Sequence, residues 1–403
     1  MRKASPNLVR DLNRSAILRL IGREGPIARA EIARRLALSP ATVTAVTRRL
    51  IEAGLVDVVD QAPSRGGRPA ILLGLVGGAA HALGVKVAAD HLVGVRVNLD
   101  AQVIERFEYP FEAAHPDALD RLAQILHSHT ATPESSPVVL GIGLGVPGVV
   151  DGGEHSVVHS PMLGWHSLAV GTMLEQRLGV PVLVENDVNT LAVAGRLYGR
   201  GRDIDHFLTV TIGRGVGLGI IVDGDVYRGA HGGAGEFGHV TVVEDGPLCE
   251  CGKHGCLEAL VADPALVERA VREGVLHDGE TIDRLRELAA ASDLRAARIF
   301  SDAGGILGRA VAGLVNVLSP QLVLISGEGT QAWAHMASAF RHHLGEAVFP
   351  PLRDVAVEID PWDDGKWALG AAALVLRATF LTGLDEQSSD YSVRARLERM
   401  AAL

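Results

Sequence analysis

Along the first 75 residues, apolar positions recur at helical spacing three times and then switch to alternation. Ile17, Leu18, Leu20 and Ile21 mark a first amphipathic helix, closed by Gly22 and by Gly25-Pro26. In RAEIARRLAL, Ile32, Ala33 and Leu36 share one face. Ser39-Pro40 places a hydroxyl at an N-cap and proline at the first helical position. The helix this opens, PATVTAVTRRLIEAGL, turns Val43, Val46 and Leu50 inward and stops at Gly54. LVDVVD alternates as a strand, and AILLGL returns after the tip PSRGGRP. A short turn between the second and third helices, followed by a hairpin, is the order of a winged helix.

From Ala82 the pattern becomes α/β. ALGVKVAAD, LVGVRVNLD and QVIERFEYPF read as three consecutive strands, with a helix over 117–129 after them. VVLGIGLGVPGVVD reads as a buried strand running into a Gly/Pro loop, VPVLVEND as a further strand, and NTLAVAGRLYG as a helix. The theme then repeats. HFLTVTIGRG, GLGIIVDG and DVYRG form a second triplet, followed by a helical stretch over 263–318, the strand QLVLISGEG and a helix around 367–380. Two lobes, each opening with an antiparallel triplet and continuing with strand–helix units, predict an internally duplicated domain with a ligand cleft between the lobes. Residues 386–403 read as a tail or a final helix.

Composition narrows the class. The 403 residues, 47% hydrophobic and 21% charged, fit a soluble globular chain of two or three domains. No uncharged apolar run reaches the length of a membrane span, and the start MRKASPNLVRDLNRS has no apolar stretch behind its basic residues. The expected location is therefore the cytoplasm, with no membrane partner. The three cysteines are expected there as reduced thiols, not as a disulfide framework.

Charge is divided unevenly. Residues 1–70 hold 13 Arg or Lys against 6 Asp or Glu, while the whole chain carries −10. A basic head on an acidic body points to a polyanionic partner. On the third helix, Thr42, Thr44, Thr47, Arg48 and Arg49, with Ser39 at its cap, suit phosphate and base-edge contacts in a DNA major groove. Arg65 and Arg68 on the glycine-rich tip suit a narrow minor groove.

All three cysteines fall in PLCECGKHGCLE, residues 247–258. Cys249, Cys251 and Cys256, spaced Cys-x-Cys-x4-Cys, offer three soft ligands to Zn²⁺ on a turn rich in glycine. A fourth ligand must come from elsewhere. The candidates are His254, inside the loop, and His239, ten residues before Cys249.

GVPGVVD (145–151), VENDVN (184–189), TIGRGVGLGIIVDGDVYRGAHGGAGEFGHV (211–240) and CECGKHGCLEAL (249–260) together resemble the ROK family. That group contains bacterial sugar kinases and sugar-responsive repressors with an actin-like (duplicated, ribonuclease H-like) fold. The resemblance covers nearly the whole chain, because many ROK repressors also begin with a winged helix. It implies a winged helix-turn-helix over 1–75 and a first lobe over 76–190, to which a helix over 367–385 returns. The second lobe, over 191–366, would carry the zinc loop and dimer contacts.

The resemblance assigns the fourth zinc ligand to His239, arriving from a preceding strand. His254, between the cysteines, would need a very small strained ring. The metal is expected to be structural, with four protein ligands. The resemblance further implies that Asn186, Asp187, Glu236, His239 and Glu258 contact sugar hydroxyls, and that Gly145, Pro147 and Gly148 belong to a loop closing on the sugar. In kinases of the family the aspartate matching Asp187 is the catalytic base.

The phosphate motifs depart from that pattern. Kinases resembling this chain carry Asp-x-Gly-Gly-Thr-Lys at the first hairpin turn, where this chain has Lys86-Val87-Ala88-Ala89-Asp90-His91. Arg214 in TIGRGVG stands where kinases tend to have a small hydroxyl residue. The expectation is a non-enzymatic, sugar-responsive regulator, most simply a repressor of carbohydrate-metabolism genes, acting on operator DNA as a homodimer or homotetramer. Sugar would change lobe closure and so the spacing of the DNA-binding heads. The alternative is an ATP-dependent hexose or N-acetylhexosamine kinase with a DNA-binding appendage.

Overall fold

The computed structural model describes residues 6–61, 70–130, 137–151, 156–361, 363–380 and 389–402. Its head comprises α1 (Pro6–Glu24), β1 (Ile27–Ala28), α2 (Arg29–Arg35), α3 (Pro40–Glu52), β2 (Val56–Gln61) and β3 (Ile71–Leu75). The inward residues of the three helices, Ile17, Ile21, Ile32, Val43 and Leu50, are buried with Leu55 and Leu73 of the hairpin. The Ser39 hydroxyl accepts from the Thr42 N–H at 3.1 Å, and Pro40 follows at the first helical position. The wing sheet has the order β1-β3-β2, with Val56 opposite Leu75 and Gln61 opposite Ile71. Helix α1 runs through Gly22 and ends at Glu24, just before the Gly25-Pro26 that also marked its end.

After the head come β4 (Ala80–Val87), β5 (His91–Asn98), β6 (Val103–Pro110), α4 (Ala118–Thr130) and β7 (Val138–Val146). They are followed by β8 (Val149–Asp151), β9 (Val157–Ser160), β10 (Trp165–Ala169), α5 (Val170–Leu178), β11 (Val182–Asn186) and α6 (Asp187–Tyr198). The sheet has the order β11-β7-β4-β5-β6, antiparallel within the triplet and parallel from β4 to β7 and β7 to β11. Alternation along β4 serves two cores. Leu83, Val85 and Val87 join Leu122, Leu126 and Leu174 of α4 and α5, while Ala80 and Ala82 join the other cluster. The short sheet β10-β9-β8 was not expected from the pattern.

The next run is β12 (Phe207–Ile212), β13 (Val216–Val222), β14 (Asp225–Val226), α7 (Glu258–Val261), α8 (Asp263–Arg272), α9 (Ile282–Ala290) and α10 (Leu294–Leu318). It continues with β15 (Leu322–Ser326), α11 (Trp333–Ala347) and β16 (Ala356–Ile359). Its sheet order, β14-β13-β12-β15-β16, repeats the first: an antiparallel triplet flanked by two parallel strands. The stretch expected to be helical over 263–318 is three separate helices, and DVYRG contributes only two strand residues. Helix α10 starts at an Asp293 cap that accepts from Arg295 N at 2.8 Å and Ala296 N at 3.0 Å. Its Gly304 and Gly308 lie against the Met336 and Phe340 carbonyls of α11, where any Cβ would overlap.

The chain ends with α12 (Asp364–Phe380) and α13 (Ser389–Ala402). Ala368, Ala371 and Ala372 of α12 meet Gly84 and Gly143 of the first sheet, a contact that small residues alone allow. Val393 and Leu397 of α13 are buried in the cluster that also holds the head's core. The chain divides into two units, residues 1–190 with 367–403, and residues 191–366. Among the described residues no helix is long and apolar enough to cross a membrane.

Candidate functional site

On the head, Thr44, Arg48 and Arg49 are exposed on α3, Thr42 is half-buried, and Ser39 is exposed at the cap. Thr44 returns its hydroxyl to the Pro40 carbonyl at 2.8 Å. Arg48 lies 3.7 Å from Glu52, an exposed pair of small energetic weight. Thr47 corrects the expectation. It is fully buried, donating to the Val43 carbonyl at 2.8 Å and accepting from Arg29 Nε at 2.9 Å. Its hydroxyl is satisfied inside the head, and it steadies Arg29 at the start of α2 beside α3. Periodicity did not single out Arg29, because nothing local in the sequence ties it to Thr47, 18 residues on. Arg65 and Arg68 lie outside the described residues.

The cysteine loop folds onto one histidine. Ligand atoms of His239, Cys249, Cys251 and Cys256 all lie within 4.8 Å of one another. Cys249 Sγ is 3.6 Å from His239 Nδ1, and Cys251 Sγ is 3.6 Å from Cys256 Sγ. Tetrahedral Zn²⁺ with Zn–S of about 2.3 Å and Zn–N of about 2.0–2.1 Å needs ligand–ligand edges of roughly 3.5–3.8 Å. The donor set and its spacing therefore fit such an ion. His254 turns away, its Nδ1 3.0 Å from the Gly246 carbonyl. His239 comes from a 3₁₀ turn, Phe237–His239, and not from the expected strand. Just before the turn, Gly235, at φ +99°, packs on the Leu218 carbonyl, leaving no room for a side chain.

Two sets of groups suited to hydroxyls follow from the sheets. In the first unit, β11 pairs parallel with β7, bringing Glu185 opposite Gly145 and Asn186 opposite Val146. Asn186 donates to the Gly148 carbonyl at 2.9 Å, tying the strand end to the Pro147-Gly148 turn. Gly148 sits at φ +100°. Asp187 opens α6, and its carboxylate accepts from the Val188 N–H at 2.9 Å. Burial raises the Asp187 pKa, opposed by the Lys86 ammonium and the helix N–H groups. Lys86 Nζ lies 4.5 Å from the Trp367 ring centre. Lys86, near the end of β4, thus acts as a cation on Asp187. The sequence named Lys86 only as a lost motif position, because its partners Asp187 and Trp367 are remote in the chain.

In the second unit, His239 Nε2 is 3.8 Å from Glu236 and its Nδ1 3.9 Å from Glu258. Glu258 opens α7 and accepts from the Val216 N–H at 2.9 Å. One imidazole thus stands between the cysteine cluster and two carboxylates.

The comparisons match this layout. A winged helix-turn-helix DNA-binding model matches residues 10–57. The chain is 32% identical to the N-acetylglucosamine repressor of Escherichia coli O6:H1 over 384 residues, 92% of this chain and 94% of that one. It is 27% identical to the xylose repressor of Bacillus subtilis, over 93% and 97% of the two chains. A solved ROK family transcriptional regulator, a homologue of the E. coli MLC protein, superposes with a TM-score of 0.83 at 25% identity, over 97% of this chain and 99% of that one. A ROK glucokinase of Streptomyces griseus, solved with glucose and AMPPNP, superposes with a TM-score of 0.62 at 26% identity, over 73% of this chain and 99% of that one. Since the model of the ROK family itself matches residues 42–378, well over half of the sequence, the chain belongs to the ROK family.

Proposed function

We propose that the chain is a sugar-responsive DNA-binding transcriptional regulator, a repressor of carbohydrate-metabolism genes acting in the cytoplasm. The observation that carries this reading is the 32% identity to the N-acetylglucosamine repressor across 92% of the chain, head and body together. The capped helix α3, exposing Thr44, Arg48 and Arg49, would enter the major groove of operator DNA. Arg65 and Arg68 would reach the minor groove. Two heads are needed for a two-part operator, so the assembly is a homodimer or homotetramer.

Asn186 and Asp187, with the Gly145 and Pro147-Gly148 backbone, and Glu236, His239 and Glu258 would take the sugar hydroxyls. Zn²⁺ held by His239, Cys249, Cys251 and Cys256 would be structural: four protein ligands leave no open position for water. With Nδ1 on the metal, His239 keeps Nε2 for the sugar or Glu236, so the loop's order and ligand binding are linked.

In this role the chain carries out no catalysis. With the phosphate motif altered over residues 86–91, Asp187 would serve as a hydroxyl acceptor and not as a working base. The likeness to the glucokinase favours a second reading, a sugar kinase with a DNA-binding head. A thermal-shift panel of hexoses, pentoses and N-acetylhexosamines, run with a coupled ATP-consumption assay, separates the two. The regulator reading expects one sugar class to raise the melting point of the wild type but not of Asp187→Asn, with no ATP turnover. Sugar-dependent turnover lost in Asp187→Asn would establish the kinase instead.

A further inference from the structure

The turn from β12 into β13, Gly213-Arg214-Gly215, sits at the carboxyl end of β12. Its parallel neighbour β15 ends alongside, with Thr211 opposite Ser326. Carboxyl ends of parallel strands are where open α/β sheets seat ligands, and backbone N–H groups in a glycine turn take anions. Here carboxylates already hold two N–H groups, one in the turn and one at the first residue of β13. Arg214 N donates to Glu328 Oε1 at 2.7 Å, and Val216 N donates to Glu258 Oε2 at 2.9 Å.

The Glu328 contact is braced from several sides. Its methylene chain lies on Gly213, where any side chain would overlap it. Gly327, at φ +92°, packs on Ile212 and so presses the end of β15 against the end of β12. Arg286 holds the Glu328 carbonyl at 3.4 Å and the Asp263 carboxylate at 2.8 Å. Asp263 N in turn donates to the Gly213 carbonyl at 2.7 Å. Strand end, glycine turn and helix start thus form one closed constellation around a carboxylate.

We propose that Glu328 is a built-in anion that occupies the glycine turn and excludes polyphosphate, so that the second unit offers a nucleoside triphosphate no seat. A carboxylate oxygen at 2.7 Å from an N–H fills the position that a phosphate oxygen would need. Glu258, held on the Val216 N–H, adds like charge against an incoming polyanion, whereas the Asp263 charge is met by Arg286. A ROK glucokinase of similar fold was solved with AMPPNP, so the fold as such does not exclude a nucleotide. The inference rests on the regulator reading above and gives it a physical cause within the second unit, beyond the altered first hairpin turn.

The test is equilibrium binding of Mg-AMPPNP and of tripolyphosphate, each alone, to the full-length protein and its Glu328→Gly and Glu328→Gln variants. Glycine removes both the oxygen and the bulk, whereas glutamine keeps the shape and removes the charge. Wild type is expected to bind neither probe at millimolar concentration. Tripolyphosphate affinity should rise roughly tenfold or more in Glu328→Gly, with a smaller rise in Glu328→Gln. No gain in either folded variant, or wild-type binding of either probe in the micromolar range, would overturn the proposal. Operator binding and sugar thermal shift on the same samples keep the two ideas apart. If both persist with no anion gain, the plug fails and the regulator stands, whereas wild-type ATP turnover sinks both.

Discussion

At the scale of single residues, Thr47 and Arg48 separate fold from recognition. They are adjacent in sequence and both are polar, but one is buried and one exposed on the same helix. Thr47→Val deletes a buried hydroxyl and strands Arg29 Nε, so it should destabilise the head by about 1–3 kcal/mol. Its effect on operator affinity should be no larger than that loss of fold explains. Arg48→Ala should leave the melting point unchanged and weaken operator binding by about 1–3 kcal/mol. Calorimetry and fluorescence anisotropy on the two variants check this, and the reverse pattern would show that α3 meets DNA with its other face. Helical spacing alone could not tell the two apart. A threonine hydroxyl can turn back to the carbonyl four residues earlier, and here that carbonyl is Val43.

Asp263 gives the pH dependence at the same scale. Burial pushes its pKa from 3.8 to about 6, opposed by Arg286 and reinforced by Glu328. The folded chain thus keeps a proton that the unfolded chain releases near pH 4, and stability falls as pH rises through about 4–6. The full effect is about 3 kcal/mol above that window. Asp263→Asn removes this share of the slope. Between pH 4.5 and pH 7, urea denaturation should show the wild type losing about 2 kcal/mol more than the variant. Equal slopes would place the Asp263 pKa at its ordinary value.

At the scale of elements, glycine marks where helices touch sheets and each other. Gly143 faces the Ala371 carbonyl of α12 so closely that a Cβ would overlap it. Gly143→Ala should cost about 3 kcal/mol, on the order of 10 °C in melting point for a unit of this size. Gly313, in the interior of α10 with nothing within 4 Å of an added Cβ, is the control. There alanine should stabilise by about 0.5–1 kcal/mol. Alternation and caps made the strands and the start of α3 legible in the sequence. The sheet β8–β10 was not, because its strands are three to five residues long and carry too little period to register.

The metal loop is also an element-scale claim. Its three cysteines were legible from spacing, and the choice of His239 over His254 drew on a resemblance together with the small strained ring that His254 would need. The fold supplies a local reason, since His254 is engaged with the Gly246 carbonyl and His239 Nδ1 lies against Cys249 Sγ. Cys251→Ser should lower zinc affinity by more than the 10–100-fold typical of losing an outer partner of a ligand. It should also blunt the sugar-induced thermal shift. Mass spectrometry under native conditions, showing one zinc per wild-type chain and none in the variant, checks the first part. A wild type without bound zinc would remove the metal from the account.

For the whole molecule, the duplicated plan was legible because each half repeats the same run of strands, and the two sheets do share one order. What the sequence left hidden are contacts between remote segments: Lys86 with Trp367, Glu328 with the Gly213 turn, and α13 packed with the head's core. Each joins residues whose spacing along the chain carries no periodic signal. These contacts also bear on whether the molecule senses or catalyses. The most direct measurement selects bound fragments from a genomic library with the full-length protein, then titrates the best fragment by fluorescence anisotropy with and without each sugar of the panel. The account predicts tight binding that weakens roughly tenfold or more, about 1.4 kcal/mol, with one class of sugar, and that loses this response in Asp187→Asn. A protein that selects no fragment, or whose hold on its fragment is indifferent to every sugar, would contradict it.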